Sequence, residues 1–249
     1  MDNIRTVSDT KRKFYGHHTR PINSIYRRFV EELLVEMHLL SVNVDFRYDP
    51  IYALGVVTSF ERFMQGYSPE SDKASIFNAL CEAVGENGEH YRQEAETIFN
   101  EAKGLSITDF QEKLKRVTTE ETGEGRLWGT CSAIAANPKF KYSRLLAIGL
   151  YTLLMEIDLD LVKDEEKRTQ TINNVSEAFK IPPEKLQKDL DLYRSNLDKM
   201  QQLLTVIEDT LEADRKKRAA KEAEKTNKIV DQKGTDHETE NGEASETNS

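Results

Sequence analysis

The chain has 249 residues, of which 37% are hydrophobic and 32% are charged. Its 12 glycines and 6 prolines are too few for a fibrous or mostly disordered protein, and they favour helices over a many-stranded sandwich. The formal net charge of −9 argues against a dedicated nucleic-acid-binding protein, so we expect no nucleic acid among its partners.

The first 20 residues form a basic segment without apolar periodicity. They lack the ~7–15 consecutive apolar residues of a signal peptide and the Ser/Arg-rich composition of an organelle transit peptide. We therefore interpret residues 1–20 as a loosely ordered N-terminal arm.

Residues 21–182 carry the periodic pattern of a compact multi-helix body. Apolar residues recur at i, i+3, i+4 and i+7 from Ile22 to Leu40, which predicts an amphipathic helix. Later helices are bounded by start and stop signals such as Asp49-Pro50 and Gly85. They are predicted near residues 50–65, 69–84, 89–103, 107–117, 126–136, 143–162 and 164–179. No segment shows convincing strand alternation, so the fold class is all-α.

The most apolar window of the chain is Leu145–Met155. A membrane-spanning helix needs ~20 apolar residues, so this shorter window predicts a buried core helix. Burial in the core is the favoured interpretation of Trp128, and an anchor for a partner is the alternative. No CxxC or CxxH spacing occurs, which argues against a zinc site. Two free thiols in a reduced compartment are the favoured interpretation of Cys81 and Cys131, and a disulfide is the alternative.

The pattern changes after Pro183, where apolar residues repeat in a strict heptad seam. The seam consists of Leu186, Leu190, Tyr193, Leu197, Met200, Leu204, Ile207 and Leu211. We predict one long, coiled-coil-like helix over 183–228, followed by a disordered acidic tail over 229–249. The first half of the seam is expected to pack on the body, and the region from Leu204 onward to reach a partner. Pairing of the seam with a helix of another chain is the alternative.

No common catalytic or nucleotide-binding motif is present, and no Glu-x-x-His pair occurs for a di-iron bundle. We therefore expect no catalytic, cofactor-binding or metal-binding residues and no cofactor. The candidate contact residues for a partner or a membrane surface lie at the end of the seam and in the basic cluster that follows. They are Leu204, Ile207, Leu211, Arg215, Lys216, Lys217 and Arg218.

Several long strings resemble the thylakoid formation family, also called a photosystem II biogenesis protein, of cyanobacteria and chloroplasts. They include RPINSIYRRFVEELLVEMHLL at 20–40, SDKASIFNALCEAVG at 71–85 and FKYSRLLAIGLYTLLM at 140–155. The resemblance extends over residues 1 to about 215, and the missing transit peptide favours the cyanobacterial form.

The resemblance implies an all-helical, non-enzymatic accessory factor for thylakoid formation and for photosystem II assembly and repair. It implies association with FtsH-type membrane proteases, and a peripheral place on the cytoplasmic face of the thylakoid membrane, with release into the cytoplasm. An assembly chaperone that binds photosystem II subunits directly is the alternative, and an unrecognised enzyme is a second alternative from another class. An anionic membrane surface is the third expected partner.

Overall fold

The computed structural model describes residues 5–117 and 124–235. In the last helix beyond position 207, the side chains that it describes are those of 209, 210, 212, 213 and 215–217. Every regular element in these ranges is a helix, which confirms the predicted all-α fold. The helices are α1 (Val7–His17), α2 (Ser24–Ser41), α3 (Pro50–Phe63), α4 (Ser71–Val84), α5 (Gly88–Ala102), α6 (Ile107–Arg116), α7 (Arg126–Ala136), α8 (Arg144–Ile157), α9 (Leu159–Lys163), α10 (Glu165–Phe179) and α11 (Pro183–Thr235).

The chain divides into two units, Met1–Asp198 and Lys199–Ser249. The first unit contains α1 to α10 and the beginning of α11. The second contains the remainder of α11. Among the helices of the described ranges, none is both long and apolar enough to cross a membrane.

The core of the first unit is built around the contact between α3 and α8. Each helix buries a continuous run of residues, Pro50–Phe60 in α3 and Leu145–Leu154 in α8, as expected for helices surrounded by protein. Their backbones meet at Gly55 and Gly149, where an added Cβ would lie 1.7 Å and 2.0 Å from a carbonyl oxygen of the other helix. Only glycine permits this approach, and the prediction of a buried core helix at Leu145–Met155 is confirmed.

α2, α5, α7 and α9 pack on this pair. α5 packs along α3, α7 contacts both of them, and α10 contacts α6, α7 and α9. Trp128 of α7 is buried as predicted, and its ring centroid lies 5.7 Å from that of Phe110 in α6. Cys81 and Cys131 are free and buried, also as predicted.

The loosely ordered arm predicted for residues 1–20 is wrong over most of its length. Residues 7–17 form α1, which begins with a reciprocal capping box between Thr6 and Asp9. α1 packs against α2 and α4 and buries Thr10 and Phe14 completely or nearly so. Because only one large apolar side chain points inward, the helix has almost no apolar periodicity to detect.

The single helix predicted across 143–162 is two helices in the structure. The backbone of Asp158 is extended and interrupts them. Its N–H closes the last turn of α8, and its carboxylate accepts a hydrogen bond from the Leu161 N–H at the start of α9. Aspartate favours such positions because its side chain competes with the backbone for hydrogen bonds.

α11 begins at Pro183 as predicted, and Leu186, Leu190 and Tyr193 are buried in the first unit. The ring of Tyr193 lies 6.1 Å from Phe63 and 6.4 Å from Tyr151, centroid to centroid. The helix ends at Thr235 and not at Lys228, so the first residues of the predicted tail are helical. The rest of that tail, 236–249, lies outside the described residues, and pairing of the seam with another helix stays a prediction.

Candidate interaction surfaces

The predicted contact residues lie on one continuous stretch of α11 in the second unit. Leu204 and Ile207 are partly exposed, and Arg215, Lys216 and Lys217 are exposed. The side chains of Leu211 and Arg218 lie outside the described residues. The structure therefore accounts for five of the seven candidates, each at least partly open to solvent.

The sequence reasoning missed two of the most exposed apolar side chains in this stretch. Leu203 is 42% exposed and Val206 is 61% exposed, and neither belongs to the heptad seam. Together with Leu204 and Ile207 they form what we call the apolar band. At 3.6 residues per turn the four positions cover about 160° of the helix circumference, roughly twice the width of a two-helix seam.

The polar residues beside the apolar band are turned back onto the helix. The Thr205 hydroxyl donates to the Gln201 carbonyl at 3.1 Å, and the Thr210 hydroxyl donates to the Val206 carbonyl at 2.7 Å. These hydroxyls have their donors satisfied within the helix, so they add little polarity to the band. The band is therefore a suitable face for an apolar groove in a partner.

The basic cluster that follows is exposed to water. Lys216 pairs with Glu212 at 2.8 Å, an i, i+4 ion pair that adds little stability at an exposed site. Among the described side chains, Arg215 and Lys217 have no such carboxylate partner within range. These charges are open to an anionic surface or to an acidic segment.

A groove of about 450 Å³ lies between α3, α5 and α8 in the first unit. Glu61, Arg62, Arg92 and Glu96 contribute its charges. Burial raises the pKa of Glu61, while Arg92 and Lys73 act in the opposite direction. The Arg92 guanidinium lies 4.3 Å above the Phe77 ring and donates to Asn78 at 3.1 Å, so it is already engaged.

A more open groove of about 650 Å³ runs beside α2. Its carboxylates are all paired: Glu31 with Lys11 at 2.8 Å, Glu32 with Arg28, and Glu36 with Arg144. Leu39, 56% exposed, is its most open apolar side chain. Because the charges are neutralised locally, this groove offers a partner little electrostatic recognition.

Asp49, which is partly buried, and the two buried cysteines are explained by the fold. The Asp49 carboxylate caps α3 by accepting from the Tyr52 N–H at 2.8 Å, and burial raises its pKa to about 7. Burial also raises the pKa of the Cys81 and Cys131 thiols to about 12, so neither forms a thiolate at neutral pH. No group of three or more His, Cys, Asp or Glu residues that could hold a metal occurs in the part of the chain that the structure describes.

Two histidines join α1 and its following loop to the body. His38 Nδ1 lies 2.8 Å from the Thr10 hydroxyl, and His18 Nδ1 lies 2.9 Å from the Ser75 hydroxyl. Burial lowers the pKa of both rings. These contacts hold the N-terminal helix and the loop after it against α2 and α4.

The fold and its surfaces can now be compared with known proteins. The sequence model of the thylakoid formation protein family matches residues 6–222. The chain belongs to that family. The match runs from the N-cap of α1 into the basic part of α11, so it includes both the apolar band and the cluster at Arg215–Arg218.

Curated relatives in the thylakoid formation protein family agree over nearly their whole length. Protein Thf1 of Crocosphaera subtropica is 78% identical over 232 residues, which are 93% of this chain and 94% of the relative. Protein Thf1 of a Synechocystis species is 51% identical over 226 residues, which are 91% and 93% of the two chains. A solved structure of Psb29 is 44% identical and covers 86% of this chain and 99% of its own, with a TM-score of 0.76.

Family membership confirms the resemblance found in the sequence. It places the chain among factors of thylakoid formation and photosystem II biogenesis, and the family names describe such a factor and not an enzyme. The comparisons name no residue as a binding site. The assignment of particular residues to a partner therefore depends on the geometry described above.

Proposed function

We propose that the chain is a non-catalytic scaffold that binds and stabilises an FtsH-type membrane protease and so supports photosystem II biogenesis and repair. It acts at the cytoplasmic face of the thylakoid membrane as a peripheral protein. The observation that carries the proposal is the apolar band in the second unit, where Leu203 and Val206 are 42% and 61% exposed beside Leu204 and Ile207.

Recognition by such a band follows the helix-in-groove mode, in which apolar side chains at i, i+3 and i+4 anchor an amphipathic helix. Leu203, Val206 and Ile207 have this spacing. The lysines and arginines that follow act differently, since basic side chains near an anionic membrane contribute about 1 kcal/mol each. The band would bind the protease, and the cluster would hold the complex against the membrane.

Affinity capture from detergent-solubilised thylakoid membranes tests the protease contact. The tagged full chain is compared with a Leu203→Ser, Val206→Ser double variant and with Leu192→Ser as the matched control. Leu192 is 45% exposed on the same helix but lies in the first unit. We expect protease subunits to be captured by the full chain and the control and to be lost from the double variant.

Two outcomes would contradict the proposal. Capture of photosystem II subunits without the protease would support a direct assembly chaperone instead. Undiminished protease capture by the double variant would move the contact away from the apolar band.

Washing of membranes tests the peripheral location. High salt or alkaline carbonate should release the protein from the membranes of a strain that lacks the protease. In that strain the protein cannot be retained on the membrane through binding to the protease. Retention after both washes in that strain would mean that the protein is not held by peripheral electrostatic contacts.

A further inference from the structure

Two grooves beside α3 adjoin each other in the first unit. The groove of about 450 Å³ lies between α3, α5 and α8, and a second groove of about 350 Å³ lies between α3, α4 and α5. Val57, Glu61 and Arg92 line both of them, so the two volumes meet at these side chains. We call the combined surface the α3 groove. It shares no residue with the apolar band.

The floor of the α3 groove is apolar. Three helices contribute buried side chains to it, and these are Leu54, Val57 and Phe60 of α3, Phe77 of α4 and Ala95 of α5. The volume of each part is within the ~300–1,000 Å³ that is typical of ligand-binding pockets. An aliphatic group that enters from solvent therefore finds a preformed apolar surface.

Two carboxylates in the α3 groove have no ion-pair partner. Glu61 of α3 and Glu96 of α5 both line the groove, and neither forms a salt bridge or a hydrogen bond with another residue in the described part of the chain. Burial raises the pKa of Glu61, which shows that its carboxylate has lost part of its hydration. A cation bound beside it would replace that hydration with a direct contact.

The two arginines of the α3 groove already have contacts within the chain. The Arg92 guanidinium lies over the Phe77 ring and donates to Asn78. The Arg62 Nη2 atom donates to the Met155 sulfur at 3.8 Å. The carboxylates of Glu61 and Glu96 are therefore the charges of the groove that remain available to a partner.

A buried hydroxyl in the α3 groove also lacks a partner. Thr58 is only 7% exposed and lines the larger part of the groove, and its hydroxyl forms no hydrogen bond with any described residue. A helical threonine often donates to the carbonyl four residues earlier, as Thr152 does to Ile148 at 2.8 Å. Leaving a buried hydroxyl unpaired costs free energy, so a donor that enters beside Thr58 gains a hydrogen bond there.

We propose that the α3 groove binds a partner protein through a lysine side chain that is flanked by apolar residues. The aliphatic stem of a lysine packs along an apolar surface while its charged end stays at a polar rim. Its ammonium carries three donors, which can serve Glu61, Glu96 and the Thr58 hydroxyl. Apolar neighbours of the lysine occupy the rest of the floor. The first unit thus has a contact surface of its own, in addition to the apolar band.

Binding of a synthetic peptide to the full chain tests this proposal. The probe is a short capped peptide of alternating leucine and lysine, titrated at low salt and followed by the amide NMR signals of the isotope-labelled protein. We expect saturable changes at Thr58, Ala95 and Phe99. The same peptide with acetylated lysines keeps the aliphatic stems and loses the charges. It should bind about tenfold more weakly, a factor equivalent to about 1.4 kcal/mol.

Substitutions in the α3 groove locate the contact. Glu61→Gln combined with Glu96→Gln keeps the size of both side chains and should weaken peptide binding about tenfold. Thr58→Val should weaken it about threefold without lowering the melting temperature, because the lost hydroxyl has no partner in the free protein. The matched control is Glu177→Gln, which removes an exposed carboxylate of α10 outside the groove. It should bind the peptide like the wild type.

Three results would overturn the proposal. Unchanged affinity in the double variant would move the lysine contact away from Glu61 and Glu96. Equal affinity for the acetylated peptide would mean that the groove recognises apolar groups without a charge. Butylamine that binds as tightly as the peptide would assign the groove to a small amine and not to a partner protein. Each of these results leaves the protease contact of the apolar band in place, since variants in the second unit test that contact.

Discussion

The reciprocal glycine contact between α3 and α8 gives the sharpest stability prediction. The Cβ of a Gly55→Ala variant would lie 1.7 Å from the Leu145 carbonyl oxygen, and that of Gly149→Ala would lie 2.0 Å from the Ile51 oxygen. Contacts under 3.0 Å essentially never occur for a real Cβ. The obstructing atoms are backbone, so no side-chain rotation can relieve them, and the two helices must separate.

The expected cost follows from opposing effects. Alanine stabilises a helix interior by ~1 kcal/mol relative to glycine, so a harmless replacement would raise stability. Overpacking a core costs about 1–3 kcal/mol when side chains can shift, and more when they cannot. Here α3 and α8 must move apart by more than an ångström, which loosens the buried runs Pro50–Phe60 and Leu145–Leu154. We expect a net loss of at least ~3 kcal/mol for either variant.

Urea and thermal unfolding followed by circular dichroism measure this loss. The matched control is Gly129→Ala in α7, because nothing lies within 4 Å of a Cβ at that helical position. The control should equal or exceed the wild type in stability, by up to about 1 kcal/mol. Wild-type stability in both core variants would refute the close approach of α3 and α8.

Three further predictions concern ionisation and the seam. Asp49→Asn keeps an oxygen that can accept the capping hydrogen bond but removes the carboxyl group, whose pKa is raised to about 7 in the folded state. The wild type should lose stability as pH rises from about 4 to 7, and the variant should not. Above pH 7 the variant should be more stable by up to about 4 kcal/mol in urea unfolding. His38→Gln removes a ring whose pKa is lowered in the folded state, so it should reduce the wild-type loss of stability as pH falls below its ordinary 6.5, provided that the contact with Thr10 is retained. Leu190→Ala should lower the free energy of unfolding by ~2–5 kcal/mol, because Leu190 is 3% exposed. Ile207→Ala should lower it by under ~1 kcal/mol and should weaken protease capture. Equal destabilisation by the two variants, with capture unchanged, would contradict this division of the seam.

Helices with strong local signals could be predicted from the sequence. α7 has the predicted bounds, 126–136, and α11 begins at Pro183, which lacks the N–H that a helix interior requires. α8 was recognised because its apolar run is too dense for a surface element and too short for a membrane. In each case the deciding information lies within a few residues.

Tertiary contacts determined what the sequence could not show. α1 buries a single large side chain, Phe14, and its docking depends on His38 and on neighbours in α2 and α4 that are distant in sequence. The end of α8 depends on whether Asp158 continues a helix or caps the next one, and both are compatible with the apolar pattern of Leu154 and Leu161. A periodicity analysis counts apolar residues, so it overlooks a helix held by one ring and polar contacts.

In the heptad seam, the sequence period alone does not identify the candidate contact residues; the exposure of each side chain in the structure is also required. Leu190 and Tyr193 are buried while Leu204 and Ile207 are partly exposed, although all four belong to the same repeat. The heptad position of Leu203 is polar one and two heptads earlier, at Asn196 and Asp189, whereas the position of Val206 is occupied earlier by Lys199 and Leu192. Only the second half is therefore apolar at both flanking positions within one heptad. A simple two-helix coiled coil needs apolar residues only at the seam, with charged flanks. The apolar band covers about 160° of the helix, which is wider than one partner helix would cover. A groove in a partner protein can cover a stripe of this width, and this is why we propose such a groove as its binding site.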